Sequence, residues 1–182
     1  YISSALRLFS MPPIGPFLMV WQNRVFMGPV NGMERGFICS AASAGLSIAN
    51  IWPARGLGSL NDRFNLPLRG FFSINGRGYA FTAASIHEIS VPESSPFTTP
   101  RVEGHGFLSH HAVVKVPQGG GELACAPMAD GLAVFDGASY RMVLPDWSML
   151  MEGGVNKRML GESVGAVMRS RKRCLSFKFL CL

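Results

Sequence analysis

The sequence predicts an all-β protein built from short strands and many turns. Its 182 residues include 21 glycines and 12 prolines, which follow no fixed period. Both residue types interrupt long helices and are common in tight turns. Two dipeptides, Asn75-Gly76 and Asp136-Gly137, stand between apolar and aromatic runs, which is the sequence pattern of a β-hairpin. Short strands separated by close turn signals indicate a sandwich or a barrel.

The strands are predicted in order along the chain. The first hairpin joins residues 69–74 to residues 77–82, and the second joins residues 131–135 to residues 138–144, where Pro145 closes the strand. Both connections are expected to be type I′ turns, because asparagine or aspartate followed by glycine favours that turn. Further short strands are predicted at 106–108, 111–116 and 147–151.

Two other segments bear on the domain organisation. Residues 91–100 are rich in proline, serine and threonine and carry no apolar period, so we interpret them as a loop or a connection between domains. The predicted division is therefore 1–100, 101–168 and 169–182. Residues 38–50 are rich in alanine and serine, and their pattern fits a short helix as well as a poorly packed strand.

Composition excludes several classes of protein. Apolar residues make up 48% of the chain and charged residues 15%, which excludes a disordered protein or a coiled coil. The four cysteines form no Cys-x-x-Cys pair, so the sequence predicts neither a disulfide framework nor a zinc site, and a reducing compartment is expected. The apolar stretch at 8–21 is interrupted by three prolines, and no transmembrane segment is predicted.

The net charge of +6 is concentrated near the end of the chain. Residues 1–156 carry ten basic and ten acidic residues, whereas residues 157–182 contain one acid, Glu162. The basic residues of this last part are Lys157, Arg158, Arg169, Arg171, Lys172, Arg173 and Lys178. Four cations within residues 169–173 suit a polyanion such as nucleic acid, and the alternative is a solvated, self-repelling tail. Apolar flanking residues favour the nucleic-acid interpretation, because a free basic tail usually lacks them.

The start of the sequence resembles an import signal. Residues 1–33 contain Arg7 and Arg24 but no acid before Glu34, as expected for an organellar import sequence or its trimmed remainder. An arbitrary boundary of the chain is the alternative.

Motifs for enzymatic chemistry are weak. Residues 161–165 spell Gly-x-Ser-x-Gly around Ser163, but the preceding residues are too charged for a central strand, and neither an acid nor a histidine follows. His105, His110 and His111, with Cys125 or Glu122, could form a metal site, yet their spacing matches no known site and a strand would send His110 and His111 to opposite faces. We therefore expect no catalytic residue, no metal and no nucleotide cofactor.

A longer run resembles a known family. Residues 111–124, His-Ala-Val-Val-Lys-Val-Pro-Gln-Gly-Gly-Gly-Glu-Leu-Ala, are similar to the barrel motif of universal ribosomal protein two of the large subunit. Residues 65–83 resemble an upstream hairpin of that family, and Leu144-Pro145, residues 159–164 and residues 166–171 resemble three downstream motifs in the same order. The resemblance covers residues 65–177. Cys125 stands where the family has arginine, and Asp146-Trp147 replaces Ser-Gly.

The resemblance implies a fold and a function. It implies an oligonucleotide-binding-type barrel to about residue 100, an SH3-like barrel at 101–168, and a basic C-terminal tail at 169–182. The low charge and the abundance of Phe and Met suit an organellar member of the family, in the mitochondrial matrix or, as second choice, in a plastid. Such a protein would bind large-subunit ribosomal RNA and support the peptidyl transferase region. The expected partners are other large-subunit proteins, including a separate polypeptide that would supply the family's C-terminal part.

The expected RNA contacts come from two regions. Glycines 119–121 would let the backbone approach a phosphate, although a flexible turn is the alternative. The full expected set is His111, Lys115, Gly119, Gly120, Gly121, Lys157, Arg158, Arg169, Arg171, Lys172, Arg173 and Lys178. The competing hypotheses are a small β-rich hydrolase that uses Ser163 or the histidines, and a free-standing RNA-binding module.

Overall fold

The computed structural model describes residues 14–30, 32–42, 51–92 and 95–145, together with the backbone of two strands at 164–169 and 175–180. The described residues are all-β, as predicted, with one short 3-10 turn at Ala54–Gly56. The strands are β1 (Phe17–Trp21), β2 (Arg24–Gly28), β3 (Gly36–Cys39), β4 (Leu57–Ser59), β5 (Gly70–Ile74), β6 (Arg77–Phe81), β7 (Ser85–Ser90), β8 (Phe97–Glu103), β9 (Val114–Gln118), β10 (Gly121–Met128), β11 (Gly131–Phe135), β12 (Tyr140–Pro145), β13 (Val164–Arg169) and β14 (Leu175–Leu180). No described helix is long and apolar enough to cross a membrane.

The strands form antiparallel sheets in which sequence neighbours pair. Three sheets have four strands each, β1–β4, β5–β8 and β9–β12, and β13 pairs with β14 in a hairpin. Because each strand pairs with the next one along the chain, every sheet is a simple meander.

Strands β5–β7 of the central sheet are buried on both faces, whereas β8 is mostly exposed. Phe72 and Tyr79 belong to one face and pack in a cluster with Phe135 of the third sheet. Phe71 belongs to the other face and packs against Phe37 of the first sheet, with ring centroids 5.9 Å apart. Successive side chains of a strand point to opposite faces, so adjacent Phe71 and Phe72 supply the two cores. The three sheets therefore stack around two apolar layers.

The two predicted hairpins both form, but with different turns. Asn75 and Gly76 have φ angles of 50° and 73°, as a type I′ turn requires, so the first prediction is confirmed. In the second hairpin Phe135 pairs with Tyr140, so residues 136–139 form a longer connection and the predicted two-residue turn is wrong. The Asp136 carboxylate instead accepts backbone N–H bonds from Ala138 and Ser139, each at 2.8 Å. Aspartate side chains favour such local bonds in turns.

The strand predicted at residues 106–108 does not form. A Cβ added to Gly106 would lie 2.1 Å from the Thr82 carbonyl oxygen, so the backbone passes too close to the central sheet for any side chain. Phe107 is fully buried in the core, and the Leu108 N–H donates to the Pro127 carbonyl. The segment is an irregular connection held by packing between two sheets.

The predicted connection at 91–100 is partly wrong. Strand β8 begins at Phe97 and pairs with β7 as far as Glu103, so it runs through the expected domain boundary. One core cluster joins Val102 of this strand to Phe107 and Ala124, beyond residue 100. Further along, residues 175–180, predicted as part of a basic tail, form strand β14. Alternation of Leu175, Phe177 and Phe179 with more polar residues is the period-two pattern of a strand.

Two remaining predictions can be placed. Of the alanine- and serine-rich segment at 38–50, the first two residues belong to strand β3, which spans Gly36–Cys39. Residues 43–50 lie outside the described residues. The predicted strand at 147–151 and Ser163 also lie outside them, whereas Val164 and Gly165 of the Gly-x-Ser-x-Gly motif begin β13.

Candidate nucleic-acid interface

The third sheet presents an exposed two-glycine turn between β9 and β10. Gln118 pairs with Gly121, so the turn itself consists of Gly119 and Gly120, with φ angles of 54° and 92°. Such angles favour glycine, because a Cβ clashes with the backbone in that region. A Cβ added to either glycine would meet no atom within 4 Å, so the backbone at this turn is open to solvent.

Gly121 differs from the other two glycines. It was expected in the loop, but it is the first residue of β10, since β9 extends through Pro117 to Gln118. A Cβ at Gly121 would lie 3.0 Å from the Asn75 side-chain oxygen. The backbone without side-chain cover is therefore shorter than the sequence predicted, and Gly121, which follows it, packs against the β5–β6 turn.

Lys115 is the one predicted cation whose side chain the structure describes. It is exposed on β9, and its ammonium donates to the Ser73 hydroxyl on β5 at 3.0 Å. No described acidic side chain forms an ion pair with it. Its charge is therefore available on β9, the strand that leads into the two-glycine turn.

Two acids also adjoin the turn. Glu122 and Asp136 are both exposed, and Asn75 contacts the backbone of both. Backbone N–H groups of Ser139 and Ala138 hold the pKa of Asp136 below its usual value, so its carboxylate stays ionised at neutral pH. The described residues around the turn are thus not a cationic patch.

The basic C-terminal residues belong to a hairpin. Arg169 is the last residue of β13 and pairs with Leu175, whereas Lys178 lies in the middle of β14 opposite Ala166. Both predicted cations are therefore held in strands. The other predicted cations, Lys157, Arg158, Arg171, Lys172 and Arg173, lie outside the described residues.

The three histidines occupy two places. His110 and His111 lie before β9 and not in it, so the expectation that a strand separates them was wrong, and their rings are 5.1 Å apart. The His110 Nδ1 accepts the Phe71 N–H at 3.2 Å, and burial lowers the pKa of His110. His111 is exposed, as an RNA contact requires. His105 lies elsewhere, 3.2 Å from the Asp130 carboxylate.

The Cys125 thiol is buried in β10, and burial raises its pKa to about 11, so it is a neutral thiol at neutral pH. Within the described residues, no cluster of three or more His, Cys, Asp or Glu side chains could hold a metal ion.

A buried polar network was not predicted from the sequence. The Ser85 hydroxyl donates to the Asp62 carboxylate at 2.5 Å, and it lies 2.9 Å from His87 Nε2 and 2.8 Å from the Thr82 hydroxyl. Ser85, His87 and Thr82 are all 0% exposed. Asp62 and Ser85 lie 23 residues apart and match no motif, so the sequence gives no signal for this network. It forms because the 61–65 loop packs against β7.

The order of this network differs from a nucleophilic triad. In a triad the histidine stands between the acid and the serine, whereas here Ser85 stands between Asp62 and His87, and His87 Nδ1 has no hydrogen-bond partner among the described residues. A substrate cannot reach a fully buried serine. The three residues therefore connect the 61–65 loop to the central sheet.

No protein-family model matches the chain, and no curated protein matches it.

Proposed function

We propose that this protein is a structural component of the large subunit of an organellar ribosome, in the mitochondrion, where it binds large-subunit ribosomal RNA. One observation carries the proposal. The open turn at Gly119 and Gly120 follows the strand that carries Lys115, whose ammonium forms no ion pair with a described acid, and it lies within the run 111–124 that resembles the ribosomal family. A backbone free of side chains beside a cation suits the close approach of a phosphate.

The finer fold assignment is part of the proposal. Strands β1–β8 would form the oligonucleotide-binding-type barrel, and β9–β13 the SH3-like barrel. Two four-stranded antiparallel sheets packed on a shared aromatic core, followed by a third four-stranded meander, support this assignment. The cluster that joins the second and third sheets would then be the contact between the two barrels.

RNA binding would combine the backbone and the cations. Gly119 and Gly120 would offer backbone N–H groups after the end of β9, Lys115 would add a cation along that strand, and His111 would lie before its other end. The cations from Lys157 to Lys178 would neutralise further phosphates and make binding depend on salt. The proposal includes no covalent step, since the protein would support a catalytic centre made of RNA. Neighbouring large-subunit proteins, and a separate polypeptide with the family's C-terminal part, would complete the assembly.

Sedimentation of a native organelle lysate tests this function. The lysate is separated on gradients of increasing salt, and the protein is followed by mass spectrometry. Co-migration with the large ribosomal subunit at high salt is the expected result. Migration as a small free species at low salt would overturn the ribosomal assignment. Free migration with retained RNA binding would indicate an independent RNA-binding module instead.

A further inference from the structure

A pocket of about 430 Å³ opens beside the first sheet. Arginines from two separate elements line it, Arg24 from β2 and Arg55 from the 3-10 turn. Apolar wall residues include Pro53, Pro92 and Pro96. The pocket thus combines two guanidinium groups with rigid apolar walls, and none of the described residues that line it is acidic.

The two arginines are held differently. Arg24 is half-buried, and its guanidinium donates to the Ser40 carbonyl at 3.1 Å, which fixes its position and leaves other N–H groups free. Arg55 is exposed, and its side chain makes no ion pair or hydrogen bond with any other described residue. Three other exposed arginines, Arg63, Arg77 and Arg101, are paired with described acids, whereas exposed Arg141 forms no ion pair with a described residue.

Cys39 also lines the pocket, and it adds no negative charge. Burial raises the pKa of its thiol and outweighs the opposing effect of the neighbouring Arg24. The thiol is therefore neutral at neutral pH. The described lining has two positive charges and no compensating negative one, and this imbalance calls for an anion.

We propose that this pocket binds a phosphate group between Arg24 and Arg55, with the organic part of the ligand against the proline walls. Guanidinium groups match the oxygens of a phosphate with paired, charge-assisted hydrogen bonds. A dianionic phosphate monoester balances two arginines, whereas a carboxylate or the monoanionic diester of an RNA backbone balances one. The phosphate belongs either to a small phosphorylated molecule or to an RNA backbone. The pocket is independent of the proposed ribosomal role, because none of its lining residues belongs to the predicted RNA-contact set.

Calorimetric titration of the purified full-length protein tests the pocket. The probes are inorganic phosphate, AMP, adenosine and a hexauridylate. AMP should bind while adenosine does not, and Arg55→Gln should weaken AMP binding by at least about tenfold. Arg63→Gln is the matched control, since it removes one exposed positive charge outside the pocket. It should leave AMP binding unchanged.

The remaining outcomes separate the sources of the phosphate. Binding of hexauridylate but not AMP, with the same dependence on Arg55, would identify an RNA backbone phosphate. Failure of both AMP and hexauridylate to bind, equal binding of adenosine and AMP, or binding unaffected by Arg55→Gln would overturn the proposal. Thermal melting establishes that each variant is folded. If Arg55→Gln does not fold, Arg55→Lys keeps the charge but loses the paired geometry, and it should still weaken binding.

Discussion

The side chain of Asn75 and the backbone of Glu122 form a reciprocal pair of hydrogen bonds. The Asn75 amide nitrogen donates to the Glu122 carbonyl at 2.9 Å, and the Glu122 N–H donates to the Asn75 amide oxygen at 2.6 Å. On the other side of the same turn, the Trp21 indole N–H donates to the Gly76 carbonyl at 2.9 Å. The β5–β6 turn is therefore held between the first and third sheets, directly beneath the two-glycine turn.

Asn75→Ala should destabilise the protein by about 2 kcal/mol. The variant loses both hydrogen bonds to Glu122 and places alanine at a φ of 50°, where asparagine is better tolerated. Chemical denaturation measures the change. Asn75→Gly is the control, since it loses the same bonds without the backbone cost and should be less destabilised. Equal stability of Asn75→Ala and wild type would show that the pair contributes nothing.

Ser85→Ala should cost about 2 to 3 kcal/mol of folding free energy. It removes the hydroxyl that donates to the buried Asp62 carboxylate, and hydrogen bonds to charged groups are among the stronger ones. Burial raises the pKa of Asp62, but hydrogen bonds from Ser85 and from the Asn65 N–H, with the nearby His87, bring it below its usual value. Loss of Ser85 should therefore also move acid unfolding to higher pH. Ser90→Ala, on the same strand, should change stability little.

His87 should make stability depend on pH below about 6.5. Burial lowers the pKa of His87 despite the nearby Asp62, so the unfolded chain binds a proton at a pH where the folded chain does not. Stability should therefore fall as the pH falls from about 6.5, by at most about 1.4 kcal/mol per pH unit for this histidine.

His87→Leu tests this pH dependence. The variant should show a shallower loss of stability between pH 6.5 and 5 than wild type. It should keep part of the slope, because burial also lowers the pKa of His110. Its stability at pH 8, where His87 is neutral in both states, gives the packing effect alone. An unchanged slope would show that His87 does not titrate on unfolding.

Local signals predicted the strands of the two hairpins and the first turn, but not the first sheet, nor how the sheets stack. Asn75-Gly76 defines its turn through its own backbone preference, whereas Asp136 bonds to nearby N–H groups and lengthens the second turn. Gly106 and Phe107 look like part of a strand, yet their conformation is set by contact with Thr82. Tertiary packing overrides the local pattern there.

The candidate sites also differ in whether the sequence could predict them. The two-glycine turn could be predicted because its residues are contiguous in the sequence. Arg24 and Arg55 are 31 residues apart in different elements, and Asp62 meets Ser85 only through the packing of a loop. No sequence motif predicts either group of residues. Both groups form through tertiary contacts between elements that are distant in the sequence.

Cys125 should resist alkylation in the folded protein. Its thiol is 1% exposed and its pKa is raised to about 11, so at pH 8 about one thiol in a thousand is ionised. Iodoacetamide labelling read by peptide mass spectrometry should modify Cys125 only after denaturant is added. Cys39 should behave in the same way, because it is buried and burial raises its pKa. Rapid labelling of Cys125 without denaturant would contradict the packing of β10.

The triple variant Arg171→Ala, Lys172→Ala and Arg173→Ala should weaken RNA binding. With each phosphate contact that is lost, fewer counterions are released on binding. The slope of log binding constant against log salt concentration should therefore fall in magnitude by about 2. Binding of a large-subunit RNA fragment, measured at several salt concentrations, gives this slope. Ser163→Ala should leave both the affinity and the slope unchanged, because the proposed function involves no serine chemistry.

A matched control variant distinguishes the loss of local phosphate contacts from the loss of net charge. The combined variant Arg63→Ala, Arg77→Ala and Arg101→Ala also removes three positive charges, but these arginines pair with Glu103 and Glu88. It should leave the slope close to wild type. Equal losses in the two triple variants would show that RNA responds only to the total charge of the protein. A loss confined to the 171–173 variant would instead place the phosphate contacts in the connection between β13 and β14.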